Sequence, residues 1–491
     1  MTARALMLQG TGSDVGKSLL TAALVRVARR RGMAVAPFKP QNMSNNAAAC
    51  ADGGEIGRAQ ALQAQAAGLA PRVDFNPVLL KPQTDRTSQV VVHGKAVSAR
   101  NAKDYMRERQ ALMVPVLESF QRLIREFDLV IVEGAGSPAE INLRRGDIAN
   151  MGFARRADVP VCLVADIDRG GVIASVVGTQ AVLDAEDAAM IVGYMVNKFR
   201  GDPSLFDTGI EAIAKRTGWR SFGVIPWLPD AARLPAEDAV SLSTENRGRD
   251  DTLRIVAPML SRMANFDDAD PLRQQPGVSF EWIPPGHPIP RDSDVVLLFG
   301  TKSTLGELEF LRAQGWDHDV LAHARCGGHV LGVCGGYQML GRQIHDPEGA
   351  DGPPGSAEGL GLLDVDTTMH GEKTVRPVNG ECMSSGLPVS GYEIHAGTTL
   401  GPDCARPLFR VDGREDGAVS KNGRIAGTYL HGMFANDAFR TRWLQGMQSR
   451  HFETYDYAAS VDAALDALAD HVEDAADVDA LLATARRPVA S

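Results

Sequence analysis

Gly10-Thr11-Gly12-Ser13-Asp14-Val15-Gly16-Lys17-Ser18 sets an ammonium and a hydroxyl directly after a glycine-rich turn. A turn of this kind between a strand and a helix aims backbone N–H groups at phosphate oxygens, and the helix N-terminus adds a favourable dipole. There Gly10, Gly12 and Gly16 shape the loop, Lys17 reaches the β- and γ-phosphates of a nucleotide, and the Ser18 hydroxyl ligates Mg²⁺. Far along the chain, Leu331-Gly332-Val333-Cys334-Gly335-Gly336-Tyr337 presents a cysteine on an equally tight turn. Its glycines permit a sharp strand-to-helix reversal, and the helix N-terminus that follows favours the thiolate. A chain that uses ATP and takes an acyl group on sulfur is most simply an ATP-driven enzyme drawing nitrogen from an amide donor.

Each motif needs partners, and strand ends supply them. Asp128-Leu129-Val130-Ile131-Val132-Glu133 delivers Glu133 to a sheet edge, where a carboxylate holds Mg²⁺ directly or through water. Val164-Ala165-Asp166-Ile167-Asp168-Arg169-Gly170-Gly171 ends another strand, with Asp166 a metal candidate and Asp168 and Arg169 substrate candidates. Asn197-Lys198 closes a third and reads as a contact to the nucleotide base. At the cysteine, the Gly335 N–H is a natural oxyanion donor, with a second from Gly300 in Phe299-Gly300-Thr301-Lys302-Ser303. Of the eleven histidines, His431 is best placed as base, because it exits the strand-like run Ile425–Leu430. His395 is the runner-up, for substrate or domain contact, and His329 precedes the cysteine strand and points away from the turn.

These residues need a scaffold. At 491 residues the chain exceeds one compact core, so two or three domains are expected. With 44% hydrophobic and 23% charged residues it has an ordinary soluble composition. Its 51 basic and 61 acidic residues give a net charge of −10, which argues against a nucleic acid or an anionic membrane as partner. Six cysteines without a CxxC pair read as reduced thiols. Met1 runs almost directly into an apolar strand, and no apolar run reaches membrane-spanning length, so neither a signal peptide nor a membrane is expected, and the expected location is the cytoplasm.

Short apolar runs at Ala5–Gln9, Val35–Pro37, Leu129–Val132, Val161–Ala165 and Met190–Val196 alternate with helical stretches. That predicts an α/β domain over 1–230, with a parallel sheet covered on both faces and ligands at the carboxyl ends of the strands. Residues 231–251 turn polar and read as a linker. A second α/β domain follows over 252–445, with strands at Leu253–Ala257, Val295–Phe299, Val330–Val333 and Ile425–Leu430 and an exposed loop at His345–Ala357. Residues 446–491 have helical spacing and are expected to form terminal helices without chemistry of their own.

Several stretches exceed what general phosphate-loop chemistry needs: Lys39-Pro40-Gln41-Asn42-Met43-Ser44-Asn45-Asn46, Glu133–Leu143, Asp166–Gly171 and Asn197–Asp202. With the cysteine turn, they resemble the cobyric acid synthase family, glutamine-dependent amidases of cobalamin biosynthesis, over nearly the whole chain. The phosphate loop agrees: its first glycine lies six residues before Gly16, the longer form of the dethiobiotin synthetase group. The resemblance implies a P-loop ATPase domain joined to a class I glutamine amidotransferase domain of flavodoxin-like type. It implies Cys334 as nucleophile, His431 as its partner, and ATP with Mg²⁺. It also implies L-glutamine and adenosylcobyrinic acid a,c-diamide as substrates, amidated at the b, d, e and g carboxylates. Lys39, Asn42 and Lys81 are candidates for holding the substrate. Most class I amidotransferases carry Glu two residues after the histidine; here Met433 stands there, as the family also lacks that Glu, and the group orienting His431 is open. His395-Ala396-Gly397 stands where the family has His-Met-Gly. The rivals are cobyrinic acid a,c-diamide synthase and a chromosome-partitioning type of ATPase switch, the latter leaving the cysteine turn unexplained.

Overall fold

The computed structural model describes residues 2–83, 87–237, 252–448 and 451–488, so residues 238–251 of the expected linker lie outside the described chain. In the first part of the chain, strands Arg220–Pro226, Ile191–Phe199, Val161–Asp166, Arg4–Gly10, Leu129–Glu133 and Val35–Phe38 lie side by side in that order, all parallel. The central strands are buried on both faces, which is why they read as unbroken apolar runs. Arg220–Pro226 was not foreseen; its glycine and terminal proline break the apolar pattern. Helix Lys17–Arg30 leaves the central strand through Gly16 at φ 96°, and no side chain caps its N-terminus. A Cβ on Gly16 would sit 2.2 Å from Asn197 Nδ2, so the position requires glycine.

Two smaller units interrupt this domain. Strands Gln41–Met43, Val78–Pro82, Thr87–Val92 and Lys95–Asn101 form a four-stranded sheet, and Ala47–Ala49 pairs with Glu55–Gly57. His93 and Gly94, at φ 46° and 74°, close the hairpin between its last two strands. These units carry the contact to the second domain: Ala47, Leu79 and Val91 bury Ile394 from across the boundary.

The second domain opens with strands Val278–Ile283, Leu253–Pro258, Val295–Leu298, His329–Val333 and Ile425–Thr428, in that spatial order and parallel. Counted along the chain this is 2-1-3-4-5, the flavodoxin-like order. Beside it lies a mixed, mainly antiparallel sheet built on the long hairpin Asp366–Cys382 and Pro388–Leu400. Gly371, Pro377 and Gly380 sit inside its first strand and a register shift falls between Thr368 and Lys373, so the run carries no unbroken strand pattern. His345–Ala357 also differs from expectation. Gln343–Asp346 pairs with Gly355–Glu358, and Asp346 and Asp351 are buried, because Asp351 accepts from Thr304 N and Oγ1 at 2.9 Å each.

The terminal helices Tyr457–Ala475 and Val478–Ala483 return to the first domain. Val461, Leu465, Leu468 and Val472, spaced for one helix face, pack into the core of Leu20 and Leu24. Arg486 pairs with Ala5 at the sheet. Arg26, Arg30 and Arg31 meet Asp466, Asp470 and Glu473 at 2.9, 2.6 and 2.8 Å. Arg26 is buried, whereas the more exposed pairs of Arg30 and Arg31 contribute about 0–1 kcal/mol each against about 1.5–3 for a buried Leu or Val, so the apolar stripe supplies most of what holds the tail.

Candidate active sites

The phosphate loop folds around Lys17, whose Nζ donates to Gly12 O at 3.1 Å and Gly136 O at 3.2 Å. Burial pushes this ammonium down to about 8, with Glu133 opposing the shift. Ser18 Oγ and Lys39 Nζ both donate to Glu133 Oε1 at 2.7 Å, and Gln63 Nε2 donates to Oε2 at 2.6 Å. Burial alone would raise the Glu133 pKa, but Lys39 and these hydrogen bonds outweigh it and hold the carboxyl below its usual range. Glu237 joins the group: its Oε1 accepts from Asn42 Nδ2 at 2.6 Å and its Oε2 from Ser18 Oγ at 3.4 Å.

A hydroxyl beside two carboxylates is an all-oxygen donor set that fits a hard cation such as Mg²⁺. The metal candidates read from the sequence stand in different places. Ser18 and Glu133 stand together, but Asp166 accepts from Asp168 N at 2.7 Å and faces Lys198 at 3.0 Å. Lys198 in turn donates to Asp14 O, and Asn197 Nδ2 donates to Val15 O at 2.9 Å, so this strand end braces the loop from behind. Arg169 pairs with Asp14 at 3.1 Å, and Asp168 pairs with Arg200 at 2.6 Å. A cavity of about 1130 Å³ opens over the loop, lined by Lys17, Ser18, Lys39, Asn42, Glu133, Arg169, Asn197 and Lys198. Trp227 and Glu237 line it too, as does His471 from the tail, which was expected to carry no chemistry. Asp168 is absent from that wall.

At the second site Cys334 adopts φ 54° and ψ −112°, a conformation costing on the order of 1–3 kcal/mol for a residue with a side chain. The turn is over-determined: Cys334 N donates to Thr428 O at 2.8 Å, and a Cβ on Gly336 would lie 1.9 Å from Leu298 O. Gly300 and Gly335 both come against the cysteine. A Cβ on Gly300 would be 3.5 Å from Cys334 Cβ, and one on Gly335 would be 3.0 Å from Thr301 N.

His431 and Cys334 line one small cavity, where the Cys334 thiol donates to Ile394 O at 3.4 Å. His431 Nδ1 lies 2.7 Å from Asp268 Oδ2, while Asp268 Oδ1 accepts from Gly432 N at 2.6 Å. Asp268 is thus the orienting group left open by Met433. The signal in sequence was a cluster of acids, Asp267, Asp268 and Asp270, just after the first strand of the domain. Burial pushes the His431 imidazole down, but Asp268 and Cys334 overcome this and raise it to about 10. The ring of Tyr392 stacks on it at 5.2 Å and 15°.

Asp268→Asn is expected to slow glutamine hydrolysis about 10²-fold through loss of ring orientation. It also removes a pH effect. A histidine raised to about 10 stabilises the fold fully below its unfolded value and loses that contribution as pH climbs through about 10. The melting temperature of the parent relative to Asp268→Asn therefore falls between roughly pH 6.5 and 10; parallel curves would remove the imidazolium–carboxylate pair from the account.

His395, the runner-up, is a poor base: it stacks on Tyr429 at 3.9 Å and burial lowers it to about 4. His329 begins the strand whose far end leads to Cys334. Lys81 is the larger displacement from expectation. It lines the small cavity of about 60 Å³ around Cys334 and His431, donating to Glu55 Oε2 at 2.7 Å. Burial raises Glu55, yet Lys373, Lys81 and Lys302 together hold it well below the usual carboxylate range.

Residues 6–242 match the CobQ/CobB/MinD/ParA nucleotide binding domain, and residues 254–439 match the CobB/CobQ-like glutamine amidotransferase domain. Over 488 residues the chain is 64% identical to the cobyric acid synthase of Hyphomonas neptunium, covering 99% of each chain. It belongs to the cobyric acid synthase family. Cobyric acid synthases of Cereibacter sphaeroides and Paracoccus denitrificans are each 62% identical over 482 residues, 98% of this chain and 100% of theirs. The chain is an enzyme that amidates with nitrogen from glutamine. A partitioning switch would share only the first domain match.

The stretch Lys39–Asn46 now has a structural meaning. Lys39 neutralises Glu133, Asn42 joins Gln60 at 2.9 Å to Glu237, and Asn46 Oδ1 accepts from Phe266 N at 3.4 Å, two residues before Asp268. It runs from the nucleotide site to the domain boundary.

Proposed function

We propose that the protein amidates the b, d, e and g carboxylates of adenosylcobyrinic acid a,c-diamide in cobalamin biosynthesis, using ATP and glutamine. The observation that carries the reading is one chain with two built sites: a phosphate loop facing a hydroxyl–carboxylate pair, and a Cys334–His431–Asp268 relay. The domain limits are 1–230, 252–445 and the helices of 446–491, with 231–251 between.

At the relay, Cys334 Sγ attacks the glutamine side-chain amide carbon, and the oxyanion meets the backbone at Gly335 and Gly300. His431 passes a proton to the departing nitrogen, ammonia leaves, and water hydrolyses the thioester to glutamate and free thiol. In the large cavity a corrinoid carboxylate oxygen attacks the γ-phosphorus of ATP and ADP departs, with Lys17 against the developing charge. Ammonia then attacks the acyl carbon and phosphate leaves, giving the carboxamide. A carboxylate is too poor an electrophile for direct attack, so phosphorylation comes first. Ser18 and Glu133 would hold Mg²⁺, with Glu237 beside them; when bound, the ion supplies charge neutralisation at the phosphates. Lys39, Asn42 and Arg169 remain candidates for the corrinoid side chains, and Asn197 and Lys198 for the nucleotide.

The six free cysteines agree with a reducing cytoplasm. Among the described residues, no helix is long and apolar enough to cross a membrane. Incubation with ATP, Mg²⁺, glutamine and the a,c-diamide, followed by product mass, tests the assignment: a tetra-amidated product is expected. Exclusive turnover of cobyrinic acid would instead make the protein an a,c-diamide synthase.

A further inference from the structure

Helix Arg58–Ala67 belongs to the nucleotide domain, yet its side chains touch both sites. Gln63 Nε2 donates to Glu133 Oε2 at 2.6 Å and to Ser18 O at 3.2 Å, and Gln60 Nε2 reaches the same carboxylate oxygen at 3.4 Å. Five residues before Gln63, about 7.5 Å along the axis, Arg58 crosses the domain boundary. Its Nη2 lies 2.5 Å from Asp267 Oδ2 and 2.6 Å from Tyr392 Oη. Asp267 precedes Asp268, the acid on His431, and the Tyr392 ring stacks on the His431 imidazole. Asn265, two residues earlier, donates to Ala47 O at 3.2 Å and to Tyr392 Oη at 3.1 Å, so the same boundary is tied twice.

The contact is also incomplete. Arg58 Nε and Asp267 Oδ1 are both buried and find no hydrogen-bond partner among the described residues. The guanidinium meets the carboxylate through one arm where a fork of two fits, so a small displacement of the helix closes the second bond. At the other end, Glu133 divides its oxygens among Ser18, Lys39, Gln60 and Gln63, and any ligand that takes Glu133 competes with the two glutamines. The cavity at Cys334, about 60 Å³, is lined by Asn265 of that same boundary.

We propose that Arg58 is a positioning residue that sets the Tyr392–His431–Asp268 arrangement according to the occupancy of the Ser18–Glu133 site, with helix Arg58–Ala67 as the rigid link. The proposal rests on the two-site reading above and names the element that joins the sites. Linkage makes it reciprocal: glutamine bound at Cys334 alters nucleotide affinity by the same factor.

The test is glutamate release by the full-length protein with and without Mg-ATP, alone and with the a,c-diamide, beside amidation from ammonium chloride. In the parent, Mg-ATP stimulates release. Arg58→Ala is expected to cut that stimulation about tenfold while ammonia-dependent amidation stays within about twofold, and Arg58→Lys, which keeps the Asp267 pair, restores part of it. Tyr392→Phe is expected to lower the ratio too, and the double variant to fall no further than Arg58→Ala. A parental ratio in Arg58→Ala overturns the proposal. If Arg58→Ala fails to fold, a parental ratio in both Arg58→Lys and Tyr392→Phe overturns it. Absence of a corrinoid product in the parent overturns the substrate reading instead, and the ratio with Mg-ATP alone still decides the role of Arg58.

Discussion

Cys334→Ala is expected to abolish glutamate release, by on the order of 10⁴-fold or more, while amidation from free ammonia continues at close to the parental rate. The sulfur is the covalent acceptor of the glutamyl group, so its removal leaves His431 with no nucleophile to activate. The substitution is otherwise gentle: the turn is fixed by Thr428 O and by the close packing of Gly336 on Leu298, neither of which involves the thiol. Ammonia-driven turnover survives because, among the described residues, none lines both cavities. Glutamate release and corrinoid amidation are read separately, and glutamine-dependent turnover that persisted in the alanine variant would remove Cys334 from the mechanism.

Lys17→Ala is expected to give the opposite pattern. Amidation from either nitrogen source falls about 10³-fold, because the lost ammonium stabilised charge on the transferring phosphoryl group. Unstimulated glutamine hydrolysis persists. A second signature follows from burial. Lys17 is pushed down to about 8 in the nucleotide-free protein, so it loses its proton as pH rises past that value. A polyphosphate anion favours the charged form, so nucleotide binding above about pH 8 takes up a proton. Calorimetry in two buffers of different ionisation enthalpy measures that uptake, which the alanine variant lacks. Parental amidation in Lys17→Ala would overturn the phosphate-loop assignment.

Both halves of the chemistry were legible because each rests on a local pattern. The loop from Gly10 to Ser18 and the turn around Cys334 are contiguous, and the strands beneath them are buried on both faces and read as apolar runs. His431 was found by the same logic, as the residue leaving a strand at the same sheet edge. Asp268 was not, because it comes from a short turn 163 residues earlier in the chain, and only packing brings it to the imidazole. Glu237 was assigned to the linker because its neighbours are polar; it reaches Ser18 and Asn42 only in the folded chain. Asp166 was read from its place at a strand end; in the folded chain Lys198, from the next strand, stands 3.0 Å from it, much as Lys39 stands 2.7 Å from Glu133. Lys81 was taken as a candidate ligand to the corrinoid because it read as a loop residue suited to substrate carboxylates, whereas it lies in the strand Val78–Pro82. The hidden hairpin Asp366–Cys382/Pro388–Leu400 supplies Lys373, and Glu55 between the two lysines makes their burial tolerable.

The return of residues 457–483 to the first domain sets a timetable for biosynthesis. Helix Lys17–Arg30 emerges from the ribosome before the second domain, but the stripe of Val461, Leu465, Leu468 and Val472 that covers Leu20 and Leu24 is made after it. While residues 238–456 are synthesised, roughly 10–45 s at about 5–20 residues per second, that apolar face has no cover from its own chain. The second domain, whose core lies within residues 253–452, is complete before the first can close. The first domain is therefore closed by a stretch made after the second domain, and Leu468 and His471 of that stretch complete the wall of the ATP cavity.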